Sequence, residues 1–169
     1  MPKPETAIRL YRHPLSGHAH RVELMLSLLG LPFECIDVDL LRGAQRAPDF
    51  LAKNPWGQVP VIEDGDVTLH DSNAILVYLV SRYDPDGPWL PRDPALAARV
   101  QQWLSIAAGQ LAYGPGALRR AAMFRASIDE GPLRAWNVAL ALVPIAWMAV
   151  KQTITIRASI TAYSTAVEY

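Results

Sequence analysis

The sequence predicts an α/β unit followed by an all-α half. Short β-favouring apolar runs alternate with helical stripes over residues 7–83. A stretch dense in proline and glycine follows at 84–91, and beyond it the clear periodicity is helical. Hydrophobic residues make up 51% of the chain, enough to build a core and too many for a disordered segment.

In order, residues 7–11 read as an apolar strand, and His13-Pro14-Leu15-Ser16-Gly17 as a loop punctuated by proline and glycine. From His18 onward Val22, Met25, Leu26 and Leu29 share one helical face, until Gly30 and Pro32 stop the helix. Residues 33–38 carry Phe33, Cys35, Ile36 and Val38, a second strand. A polar loop over 40–48 leads to a short helical piece at 49–53. Residues 59–62 and 67–69 are two strands joined by Glu63-Asp64-Gly65-Asp66, where Asp-Gly supplies the hairpin turn. Asp71 or Ser72 caps the next helix, which reaches about residue 83. Its apolar residues lie nearly all round, so cover is expected on two sides. Asp84-Pro85-Asp86-Gly87-Pro88-Trp89-Leu90-Pro91 reads as a linker. Asp93-Pro94 then opens a helix whose stripe is Leu96, Val100, Trp103, Leu104, Ala107 and Leu111. The order is β-α-β-α-β-β-α, a linker, then helices.

Charge and cysteine content narrow the function classes. Sixteen Lys+Arg balance sixteen Asp+Glu, which provides no electrostatic footprint for nucleic acid or an anionic membrane. The single Cys35 permits no internal disulfide and no Cys-x-x-Cys pattern. MPKPETAIRLY lacks the apolar segment of a signal peptide, so a cytoplasmic location is the expectation. The longest apolar run, residues 138–150, falls short of the roughly 20 residues of a membrane span and contains Pro144. It reads as buried helix.

Element order and motifs together resemble a cytosolic glutathione transferase. The markers are LYRHPLSGHAHRV (residues 10–22), FLAKNPWGQVPVIEDGDVTLHDSNAILVYL (50–79) and WLP (89–91). The loop is most similar to the serine-type classes, such as phi and related bacterial enzymes. The resemblance implies a thioredoxin-like domain over 1–83, a linker at 84–91 and a helical domain over 92–169. It also implies a cis Val59-Pro60 bond, with the Val59 backbone turned outward to pair with the cysteinyl unit of glutathione. Pro60 by itself would equally suit the start of an edge strand.

By the same resemblance, the Ser72 hydroxyl and N–H hold the γ-glutamyl carboxylate, Asp71 lies near its ammonium, and Gln58 contacts the same end. A helix N-terminus suits a carboxylate, although Asp71 and Ser72 would each serve as ordinary caps. The glycyl carboxylate falls to Gln45 and Arg46, where related sequences commonly carry His-Lys; Arg46 keeps the charge. Ser16 would stabilise the thiolate through its hydroxyl, aided by the following helix N-terminus. A serine in such a loop is otherwise a cap.

The expected function is conjugation of the glutathione thiolate to a small electrophile. Glutathione is the co-substrate, no metal is needed, and a homodimer includes contributions from Trp56 or the helix at Ser72. The alternatives are a non-catalytic association module and glutathione-dependent peroxide reduction. His13, His18 and His20 do not share one face at metal-ligand spacing, and His18 reads as a cap, a solvated residue or an electrostatic tuner. Cys35 reads as core. An electrophile pocket is expected around Gln110, Tyr113 and Phe124. After about residue 124 the family pattern fades, since no buried (Ser/Thr)-x-x-Asp capping box is found. KQTITIRASITAYSTAVEY at 151–169 alternates like a strand or a sticky tail, so the helical half is expected to be atypical or truncated.

Overall fold

A computed structural model describes residues 3–124. The expectations for the apolar run at 138–150, for the alternating stretch at 151–169 and for an atypical or truncated helical half after about 124 fall outside the described residues. The chain divides into two compact units, 1–104 and 105–169.

The first unit is built on β1 (Ile8–Arg12), α1 (Gly17–Leu28) and β2 (Phe33–Asp37). A 3-10 turn at Ala44–Arg46 and a short α2 (Pro48–Leu51) follow. Then come β3 (Val61–Asp64), β4 (Val67–His70), α3 (Ser72–Tyr83) and α4 (Pro94–Ile106). The four-stranded sheet runs β2-β1-β3-β4. β1 and β2 are parallel, so they need a crossover, and α1 supplies it. β3 lies antiparallel to both β1 and β4, the latter through the Asp64–Val67 hairpin, whose Gly65 has φ +58°.

Strand alternation assigns the two cores. Ile8, Leu10 and Ile62 pack with Val22, Leu26, Ile75 and Leu79 of α1 and α3, all fully buried. At about 1.5–3 kcal/mol per buried aliphatic side chain, this layer is the main source of stability. Tyr11 and Val61 face the other way and meet Phe50 of α2 and Val38. Tyr11 and Phe50 stack edge to face with centroids 6.2 Å apart.

Helix ends follow their sequence signals. Gly30, at φ +60°, closes α1 with Gly30 N–H to Ser27 O (3.0 Å) and Leu31 N–H to Leu26 O (3.0 Å), a Schellman motif. Asp93 Oδ1 caps α4 through Leu96 N–H at 2.9 Å. Two expectations are corrected. The third strand begins at Val61 and not at residue 59, because proline has no N–H for the ladder and the chain turns at a cis Val59-Pro60 bond. Helix α3 is buried on one face, while Ala74 and Val77 remain exposed, so it is not covered all round.

The described part of the second unit is a π-helical turn at Ala107–Leu111 and α5 (Pro115–Phe124). Gln110 and Tyr113 are exposed there. The Phe124 side chain lies outside the described residues. Among the described residues no helix is long and apolar enough to cross a membrane.

Glu63 ties β3 to its neighbours. Its carboxylate accepts from Arg9 Nη1 (2.7 Å) and the Tyr11 hydroxyl (2.9 Å), and pairs with Lys53 beyond α2. Burial alone would raise the Glu63 pKa, but Lys53, Tyr11 and Arg9 outweigh it and hold the carboxyl below its usual range. A depressed folded-state pKa stabilises the fold above the unfolded value of about 4.3 and loses that effect as pH falls through the folded value. Unfolding free energy is therefore expected to drop as pH falls below about 4.3. Urea titrations across that range should show a shallower pH dependence in Glu63→Gln.

Candidate functional site

Asn54, 2% exposed, organises the loop before β3. Its Nδ2 donates to Gln58 O (2.8 Å), its Oδ1 accepts from Trp56 N–H (3.0 Å), and its carbonyl accepts from Gly57 N–H (2.9 Å). Gly57 has φ +59°, and a Cβ there would stand 2.9 Å from Gln45 O and 3.2 Å from Arg46 Nη1. Arg46 is thus laid against the loop, one residue from Gln58. Val59 and Pro60 follow, joined by the cis bond. Pairing of β3 with β1 starts at Val61↔Tyr11, and neither the N–H nor the C=O of Val59 finds a hydrogen-bond partner among the described residues.

The second wall is the start of α3. Asp71, at φ 69°, is the N-cap, its Oδ1 accepting from Asn73 N–H and Ala74 N–H at 3.0 Å each. Ser72 is the first helical residue, 4% exposed, and its N–H has no acceptor among the described residues. The Ser72 hydroxyl lies 3.4 Å from His18 Nδ1. Behind it Arg21 Nη1 donates to Asn73 Oδ1 (2.7 Å), and Asn73 Nδ2 donates to Leu104 O (2.8 Å), linking α1, α3 and α4. Burial lowers the Arg21 pKa, with the charge of Asp71 pulling the other way.

Ser16 caps α1. Its Oγ accepts from Ala19 N–H at 3.2 Å, its own N–H donates to His13 O at 2.8 Å, and its hydroxyl proton has no acceptor among the described residues. His13 Nδ1 accepts from Leu15 N–H (3.2 Å), which shapes the same loop.

These walls enclose a cavity of about 370 Å³, lined by His18, Asn54, Trp56, Gln58, Val59, Pro60, His70, Asp71 and Ser72. The size suits a small ligand, and the lining offers free main chain, a helix N-terminus and one carboxylate. Of the residues expected from the sequence, Gln58, Val59, Pro60, Asp71 and Ser72 come together here. Ser16, Gln45 and Arg46 are not in the lining: Ser16 stands two residues before His18, and Arg46 packs behind Gly57. His18, Asn54, Trp56 and His70 are lining residues that the expected ligand set omits. The Asn-Pro turn was the available signal for Asn54; nothing local marks His70. Cys35 is half-buried against the core, and burial pushes its thiol pKa up. Among the described residues no group of His, Cys, Asp or Glu could hold a metal ion.

A mixed sheet between α1/α3 and α2, with a cis X-Pro at the mouth of an antiparallel strand, defines a thioredoxin-like domain. Residues 6–81 match the family profile described as Glutathione S-transferase, N-terminal domain. Glutathione S-transferase 3 of Zea mays is 44% identical over 99 residues, covering 59% of this chain and 45% of the relative. Glutathione S-transferase Z1 of Arabidopsis thaliana is 46% identical over 102 residues, covering 60% of this chain and 46% of the relative. A glutathione transferase homolog from Drosophila mojavensis, solved with bound glutathione, has a TM-score of 0.71 at 31% identity, covering 81% of this chain and 64% of that one. Residues 6–81 are therefore a glutathione S-transferase N-terminal domain. The chain spans about half the length of the curated relatives.

The Asp71 cap can be separated from any ligand role. Asp71→Ala removes the acceptor for two N–H groups and leaves a Cβ residue at positive φ, so a loss of about 1–2 kcal/mol is expected in urea unfolding. Asp71→Asn keeps the cap and should stay within about 0.5 kcal/mol of wild type.

Proposed function

We propose that the protein conjugates the thiolate of glutathione to small electrophilic substrates. The observation that carries this reading is the cavity itself, where the unpaired Val59 main chain faces the open N-terminus of α3. An extended peptide adds to Val59 as a strand adds to a sheet edge, main chain to main chain. At one end, the Ser72 N–H and hydroxyl take the γ-glutamyl carboxylate, with Asp71 beside the ammonium and Gln58 alongside. Asp71 Oδ1 serves the helix cap, leaving Oδ2 toward the ligand. At the other end, Arg46 with Gln45 meets the glycyl carboxylate.

A free thiol has a pKa near 8.5 and is mostly protonated at neutral pH. Ser16 has a hydroxyl proton to donate and sits at the N-terminus of α1, so it stabilises the sulfur anion by hydrogen bond and dipole together. The thiolate then attacks an electrophilic carbon; a C–S bond forms, and a leaving group such as halide departs with its electron pair. Residues 1–83 act as the glutathione-binding domain and 84–91 as the linker to the helices that begin at Pro94. The proposed assembly is a homodimer, with Trp56, 69% exposed, available at the surface.

The test is Ser16→Ala. If the hydroxyl supplies about two pKa units below the free value of about 8.5, the thiolate fraction at pH 7, and with it conjugation of an aryl halide, should fall roughly 25-fold in the variant. Glutathione affinity by calorimetry should change little. Wild-type conjugation retained in that variant removes Ser16 from the mechanism; absence of heat with the wild type removes the reading as a whole.

A further inference from the structure

His18 occupies a position that the proposed ligand set leaves without a role. It is the second residue of α1, it lines the cavity, and its Nδ1 lies 3.4 Å from the Ser72 hydroxyl. It therefore stands between the starts of α1 and α3, joining the Ser16 cap to the Ser72 corner. A serine hydroxyl has one proton and two lone pairs. If Nδ1 accepts that proton, Ser72 presents only lone pairs to the cavity, and these repel a carboxylate. If Nδ1 carries hydrogen, it donates to Ser72 Oγ and leaves the hydroxyl proton aimed at the ligand.

Resting on the glutathione reading above, we infer that His18 is a positioning residue, whose Nδ1–H holds the Ser72 hydroxyl as a donor to the γ-glutamyl carboxylate. Protonation of the imidazole guarantees that orientation and adds a positive charge beside the anion. Among the described residues, the other groups facing this corner are Asp71, His70 on β4, and Arg21 one turn further along α1 and bonded to Asn73. His70 lines the same cavity, so the test must separate the two histidines.

The experiment is a calorimetric titration of wild type, His18→Ala and His18→Asn with glutathione and with γ-aminobutyryl-cysteinyl-glycine, which lacks only the α-carboxylate. The Asn amide places an N–H donor where Nδ1 was. His18→Ala should weaken glutathione about tenfold and leave the decarboxylated analogue unchanged. His18→Asn should restore most of the glutathione affinity. Wild type should bind more tightly at about pH 6 than at about pH 8, a difference that His18→Asn abolishes. Equal losses for both ligands, no loss in His18→Ala, or no recovery in His18→Asn overturns the inference while the glutathione reading stands. So does a pH difference that persists in His18→Asn. Failure of the wild type to bind glutathione overturns both.

Discussion

The place where the β1–β3 ladder begins governs the site. Had pairing started at residue 59, the valine main chain would be consumed within the sheet. Starting at Val61, opposite Tyr11, it leaves Val59 on the cavity wall with its peptide groups available. Buried or half-buried peptide groups are normally paired, so an unpaired one at a concave surface invites a partner. Everything else in the first unit keeps that short stretch in place. Asn54 pins the loop before it, and Glu63, anchored by Arg9, Tyr11 and Lys53, fixes the strand after it.

The other half of the site depends on helix packing. α1 and α3 bury Val22, Leu26, Ile75 and Leu79 against one another and the sheet, which brings their N-termini to the same end. Each end carries an oxygen-bearing cap, Ser16 and Asp71, that satisfies part of the first turn. At α3 the Ser72 N–H is left without an acceptor among the described residues, on the cavity wall. Local capping and anion attraction arise from the same kind of unsatisfied N–H group, so the geometry that caps a helix is also the one suited to an anion.

Much of the first unit was legible because local chemistry and tertiary structure agree. Gly30 stops α1, Asp64-Gly65 turns the hairpin, and Asp93 caps α4, each for a backbone reason readable from a few residues. The strand start was misplaced because Val59 has the right side chain for a ladder, whereas the obstacle is the missing N–H of its neighbour. The choice between Asp71 and Ser72 as cap was left open because both carry suitable oxygens; only Asp71 reaches both following amides. In the site, the residues adjoining the Val-Pro turn and the α3 start were readable as a motif. His18 and His70 were not, since their place in the cavity depends on how two helices and a strand end converge. Two-sided cover of α3 failed for a related reason: composition records apolar residues without recording which face meets a partner.

Gly57 links the two ends of the cleft in a way that side-chain inventories overlook. It must be glycine twice over, for its positive φ and for the absence of room beside Gln45 O and the Arg46 guanidinium. Any side chain at residue 57 would force the 44–46 turn and the loop leading to Val59 apart, so a change there would reach the cavity wall without altering a lining residue.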